Sequence, residues 1–165
     1  MSHSTDLVDR YAVGGNLLKY AAADIAPDHA RARPGPGAWS LAELAVHLLD
    51  SDLVASDRMK RVIAEENPTL YAYDENAWTD RLQANDLPID EAVSLFAANR
   101  AWTARILRNT PESDFGRSGL HTEAGRQTLA ELVTKYVSHL DHHLKFLYMK
   151  RANLGIAVPP RYART

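Results

Sequence analysis

Apolar residues between Thr128 and Arg151 recur at Leu129, Val133, Tyr136, Leu140 and Leu147, at spacings of four, three, four and seven. This is the repeat of one face of an α-helix, so the stretch is predicted as one long amphipathic helix. The stripe skips a position between Leu140 and Leu147, and His143 stands there where a core leucine is expected. His139 lies one turn earlier on the same side. His142 instead joins Lys135, Ser138 and Lys145 on a polar line that faces water.

Three more long helices follow from the same pattern. The stretch 6–25 has Leu7, Tyr11, Leu17, Leu18 and Ala21 to bury; Gly14-Gly15 either admits a neighbouring helix closely or marks a kink. The stretch 40–66 opens on a capping box, Ser40 with Glu43, and carries a stripe of Leu41, Leu44, Leu48, Ala55, Met59 and Val62. Asn67-Pro68 stops it. The stretch 90–109 presents two adjacent apolar lines, and Arg100 falls on one of them, where it needs a partner if buried.

Between the helices, 26–38 reads as a loop, because Pro27, Pro34, Gly35, Pro36 and Gly37 cannot continue a helix. The connection 67–88 is long and holds a short helix at 74–81. Its aromatics Tyr71, Tyr73 and Trp78 are read as a cover over the end of the core, ahead of contact with a ligand. Residues 111–126 read as irregular and glycine-rich, and no strand is predicted. Four long helices without strands give an all-α four-helix bundle in a single domain, 1–165. The long crossover between helices 2 and 3 lets them run parallel, which makes the order up-down-down-up.

This order brings a third histidine into play. His47 lies seven residues into the second long helix, about 10 Å from its start. His139 and His143 lie about 18 and 12 Å from the end of the last helix. In antiparallel helices these levels coincide, so three imidazoles can meet at one ion. The competing reading is that they are ordinary core histidines.

Composition narrows the chemistry. A net charge of −2 offers no general attraction to nucleic acid or an anionic membrane. The absence of cysteine excludes disulfides, thiolate metal sites and a cysteine nucleophile, and fits a cytoplasmic protein. The first ten residues contain acids and lack the apolar core of a signal peptide. No apolar run approaches the ~18 residues needed to cross a bilayer.

The segments PGAWSLAELAVHLLDSD (36–52) and GLHTEAGRQTLAELVTKYVSHLDHHL (119–144) resemble the DinB-like superfamily, and within it the YfiT-like group of metal-dependent hydrolases and thiol S-transferases. In such proteins a tryptophan-serine start leads to a histidine in helix 2, and an H-x-x-x-H pair lies in the last helix. The resemblance spans nearly the whole chain. It implies His47, His139 and His143 as ligands of a divalent metal ion, zinc or nickel ahead of manganese or iron. It also implies a small-molecule substrate, a low-molecular-weight thiol among the candidates, and a homodimer.

Three neutral histidines leave a bound ion its full charge and an open position, where a water or thiol is acidified. The first expectation is therefore a metal-dependent hydrolase or thiol S-transferase. Its rival is a non-catalytic bundle that binds or dimerises around a structural metal. The residues name no general base; Asp52 is a candidate, with a solvated or helix-paired acid as its plainer role. His121 is read as a loop anchor, and becomes a fourth ligand only if its loop folds back along the bundle. Because free histidine titrates near 6.5, protons are expected to displace the ion below about pH 6.

Overall fold

The computed structural model describes residues 3–163. Met1, Ser2, Arg164 and Thr165, the ends of the domain read from the sequence, lie outside the described residues. The helices are α1 (His3–Ala21), α2 (Pro27–Arg31), α3 (Leu41–Ala64), α4 (Glu75–Arg81), α5 (Ile89–Arg108) and α6 (Leu129–Asn153). The first long helix thus ends four residues before the predicted Ile25. The loop after it contains a turn of helix that Pro27 opens rather than prevents, because the first helical position needs no N–H donor.

The two helices that carry the histidines start on capping boxes. Ser40 Oγ accepts from the Glu43 N–H at 3.1 Å, and the Ser40 N–H donates to Glu43 Oε2 at 2.7 Å. Thr128 and Glu131 repeat the arrangement at the head of α6. These caps fix where each helix begins, and so the height of each histidine along the bundle.

α1 and α3 each pack against both α5 and α6. Arg108 at the end of α5 meets Asp9 near the start of α1 at 2.8 Å, so those helices are antiparallel. The Ser40 hydroxyl at the head of α3 bonds Asn85, just before α5, at 2.6 Å, so α3 and α5 are parallel. Near the end of α6, Lys150 Nζ donates to the Trp39 carbonyl at the head of α3. Arg151 donates to the Ala21 carbonyl at the end of α1 at 2.7 Å. The bundle is therefore up-down-down-up.

At its centre Arg100, 1% exposed, binds Asp52 Oδ1 through Nε at 2.9 Å. Its other nitrogens donate to the carbonyls of Tyr11 and Tyr136, and it lies over the rings of Tyr11 and Phe96. One guanidinium thus touches all four long helices. A Cβ on Gly14 would fall 2.1 Å from Arg100 Nη1, and one on Gly15 3.1 Å from the Ala97 backbone. The glycine pair therefore serves close approach of α1 to α5.

The expectation of no strand is corrected by a small sheet. β1 (Thr69–Leu70) pairs in parallel with β2 (Ser118–His121), which pairs antiparallel with β3 (Gly125–Thr128). Strands of two to four residues are too short to show a period of two, and their composition is glycine-rich and polar. Gly119 is needed because a Cβ there would meet the Pro68 carbonyl and the Leu70 side chain at 2.9 Å. The sheet draws the two long connections together over one side of α3 and α6.

Candidate metal centre

The core line of α6 does not pass through His143. Leu144 is fully buried and continues the stripe from Leu140 to Leu147. His139 and His143 occupy the adjoining edge of the helix, turned toward α3, and both are partly buried. His47, 2% exposed, faces them from the second turn of α3.

The three rings converge through the same atom. His143 Nε2 lies 3.3 Å from His47 Nε2 and 3.1 Å from His139 Nε2. One nitrogen from each of the three lies within 4.8 Å of the others, and no other such group occurs among the described residues. Two imidazole nitrogens on a tetrahedral zinc ion, each ~2.0–2.1 Å from it, stand ~3.3 Å apart. The donor set therefore fits a divalent ion. The fit has one loose end: His143 Nδ1 is buried without a hydrogen-bond partner.

The electrostatics favour the ligating form. Burial lowers the pKa of all three histidines, taking His139 to about 2 and His143 to about 4, with the neighbouring rings adding to the effect. For His47, burial again leads, opposed by the carboxylate of Glu75. All three are neutral at pH 7 and present lone pairs rather than charge. Trp39 packs its ring 4.9 Å from that of His47, which gives the tryptophan of the W-S segment a positioning role. His142 is exposed and stacks on Phe146 outside the cluster.

Other sequence expectations divide. Asp52 is not solvated: it is 1% exposed, ion-paired with Arg100, and also accepts from Asn99 Nδ2 at 2.8 Å. Of its two sequence readings, the paired acid is the one this geometry matches, although its partner lies on another helix. His121 is not one of the three converging histidines; its Nδ1 accepts from the N–H groups of Glu123 and Ala124, both at 3.2 Å, and so anchors the hairpin turn. Of the aromatics, Tyr71 is largely exposed, while Tyr73 stacks on Trp78 at 4.7 Å and lines the cavity beside the histidines rather than merely covering the core.

That cavity, about 420 Å³, is lined by His139, Glu75, Tyr73, Arg58, Lys135 and Tyr136 among others. Sequence reasoning missed Glu75. Its Oε2 lies 3.8 Å from His47 Nε2, and it is half-exposed in the first turn of α4. The only signal was the Asp74 cap that starts this helix, and it says nothing of what the helix faces. A larger cavity of about 540 Å³ lies between the end of α1 and the start of α5, away from the histidines.

Comparison with known proteins bears on the family and the fold. A family model described as the DinB superfamily matches residues 12–147. A protein of Oceanobacillus iheyensis, provisionally named a metal-dependent hydrolase, is 32% identical over 128 residues, covering 78% of this chain and 74% of that one. A similarly named protein of Bacillus licheniformis is 26% identical over 141 residues, covering 85% and 80%. Among solved structures, YfiT from Bacillus subtilis superposes with a TM-score of 0.86 at 22% identity, over 94% of this chain and 90% of that one. It is described as a probable metal-dependent hydrolase with an unusual four-helix bundle topology. Among the described residues no helix is long and apolar enough to cross a membrane.

Proposed function

The chain belongs to the DinB superfamily, and we propose from that premise that it is a metal-dependent enzyme, a hydrolase or a low-molecular-weight-thiol S-transferase. The observation that carries the reading is the convergence of the Nε2 atoms of His47, His139 and His143 at the edge of a cavity. These three histidines are the proposed ligands of a divalent ion, zinc or nickel first. Such an ion would act as a Lewis acid, lowering the pKa of a water or thiol bound to it.

The remaining roles belong to side chains. Glu75 Oε2, 3.8 Å from His47 Nε2 and in contact with solvent, is the proposed acceptor of the nucleophile's proton, which it can pass to water. Tyr73, packed against Trp78, lines the same cavity. An opening onto a cavity favours catalysis over a purely structural ion, which calls for a closed fourth position. As part of the same proposal the protein is cytoplasmic and homodimeric. The absence of cysteine supports the first, and the exposed Tyr71 and Trp102 support the second. Light scattering that returned only the 18.4 kDa monomer at every concentration would remove the dimer.

Elemental analysis of untagged protein should find one divalent ion per chain. The ion should be lost in His47→Ala, His139→Ala and His143→Ala, and retained in His142→Ala. Metal-loaded protein should conjugate glutathione or N-acetylcysteine to a bimane electrophile, or hydrolyse an activated ester. Glu75→Gln should lower kcat and flatten its rise with pH while leaving metal content unchanged. Retention of ion and activity by His143→Ala would overturn the assignment.

A further inference from the structure

Three arginines in the described chain are almost completely buried, and they differ in what balances their charge. Arg100 faces the carboxylate of Asp52. Arg151 is held by the carbonyls of Ala21, Ala23 and Ile156 at the end of the bundle, where the C-terminus of α1 presents negative dipole ends. Arg58, 5% exposed, has neither arrangement. It donates to the Tyr136 hydroxyl at 2.8 Å and to the Tyr71 carbonyl. No carboxylate lies within 4.0 Å of it among the described residues, and its Nε is a buried donor without an acceptor. A buried cation without a counter-ion is costly, and the cost falls when an anion arrives.

Arg58 lines the cavity that reaches His139 and Glu75, and it is not alone there. Lys135 stands at the rim of the same cavity. Its ammonium is held below its ordinary pKa by burial and by Arg58, with no acid relieving it. Tyr136 joins them: its hydroxyl accepts from Arg58, which leaves its own proton to donate. The Tyr136 ring also lies 6.0 Å, centroid to centroid, from that of His139. The cavity therefore holds two cations and a free hydroxyl donor in the same lining as His139 and Glu75.

We propose that this cavity binds the carboxylate of a small substrate against Arg58, Lys135 and the Tyr136 hydroxyl, so that the rest of the molecule extends toward His139 and Glu75. The direction of the substrate rests on the metal-centred reading above; the carboxylate pocket does not. A monoanion suits the site better than a phosphate dianion. Asp74, Glu75 and Glu123 line the same cavity, so a second negative charge is repelled. In addition, Nη1 and Nη2 of Arg58 already have protein acceptors, which leaves the guanidinium less able to clasp a tetrahedral anion.

The test uses metal-free full-length protein and three probes: propionate, propionamide and inorganic phosphate. The readout is nuclear magnetic resonance of the Arg58 Nε–H signal and of the backbone amides of α6. Propionate should shift these signals saturably, propionamide should not at the same concentration, and phosphate should bind more weakly than propionate. Arg58→Gln should weaken propionate about tenfold or more, as expected for loss of a charge-assisted contact. Should Arg58→Gln fail to fold, Lys135→Glu, a change at the rim, should by itself remove propionate binding. Equal binding of acid and amide overturns the pocket, as does indifference to both substitutions. Tighter binding of phosphate overturns the choice of carboxylate. Because protein and probes are metal-free, none of these failures touches the three-histidine assignment. Loss of that assignment by elemental analysis likewise leaves the pocket standing.

Discussion

Removing the Asp52 carboxylate separates a structural role from a catalytic one. Asp52→Ala deletes the anion that meets Arg100 Nε at 2.9 Å, with both residues about 1% exposed. The guanidinium then keeps only the carbonyls of Tyr11 and Tyr136 and the two aromatic faces. Asn99 Nδ2 keeps the Asp52 carbonyl but loses the carboxylate it also holds. Breaking a buried pair from one side costs about 3–5 kcal/mol, because the surviving charge is left uncompensated. Against a total of roughly 5–15 kcal/mol for a domain, this is a large fraction. With a urea m-value of about 2 kcal/mol per molar, the midpoint should fall by about 2 M. The double variant Asp52→Leu with Arg100→Met removes both charges and should recover most of the loss, since apolar replacement of a buried pair is often neutral. Urea unfolding followed by circular dichroism measures all three proteins, and elemental analysis shows that the ion stays. If Asp52→Ala unfolded at the wild-type midpoint yet lost catalysis, the residue would be the general base after all.

Chelation should lower the melting temperature but leave helical circular dichroism near native, because the core of Leu44, Leu48, Met59, Phe96 and Leu140 is closed without the ion; loss of most helicity would make the metal structural. In metal-free protein the unfolded chain, with histidines near 6.5, binds more protons than the folded one, in which His143 and His139 titrate at about 4 and about 2. Stability therefore rises with pH and is lost as pH falls from about 6.5, by up to about 1.4 kcal/mol per pH unit for each histidine. Urea midpoints at pH 7.5 and 5.5 should differ more for wild type than for His139→Leu, and equal losses would mean that the imidazoles are not held neutral. Because burial lowers all three histidines, proton competition for the ion should set in at lower pH than for free histidine, which metal content after dialysis across pH 7.5 to 4.5 checks. Gly14→Ala should destabilise by about 1–3 kcal/mol despite better helix propensity, because its Cβ would press on Arg100 and on Leu140 Cδ2 at 2.7 Å; a stabilised variant would show that α1 can shift aside at this crossing.

What could be read from the sequence was whatever is encoded locally. The capping box at Ser40 and the long apolar stripes placed α3 and α6 to within a few residues, and the structure adds a second capping box at Thr128. The start of α3 and the end of α6, with antiparallel order, were enough to bring His47 level with His139 and His143. The reading erred where a helical face was assigned from one stripe: Leu144, not His143, fills the core position. Two turns of helix carry several lines of apolar residues, and only the neighbouring helices decide which line is innermost. Asp52 and Arg100 show the same limit. Each interrupts an apolar face when read alone, and only their meeting across 48 positions explains both.

The cavity lay further out of reach because no single segment makes it. Thr69 pairs with Leu120 and Leu70 with His121, joining two connections across 51 positions. Gly119 permits the contact because it has no Cβ to strike Leu70 and Pro68. That pairing, together with the Arg58 bond to the Tyr71 carbonyl, lays the start of the long crossover beside α3 and ahead of α4. Asp74 then caps α4, and its first residue, Glu75, arrives beside His47. The three imidazoles are thus set by helix phase, as are Arg58 on α3 and Lys135 and Tyr136 on α6, whereas Tyr73 and Glu75 are brought to them by the connection that the small sheet anchors. A change confined to the sheet, such as Gly119→Val, should therefore displace the acid while the histidines keep their heights on α3 and α6. Metal content should then persist while kcat falls. Joint loss of both would show that the histidine cluster, too, depends on the sheet.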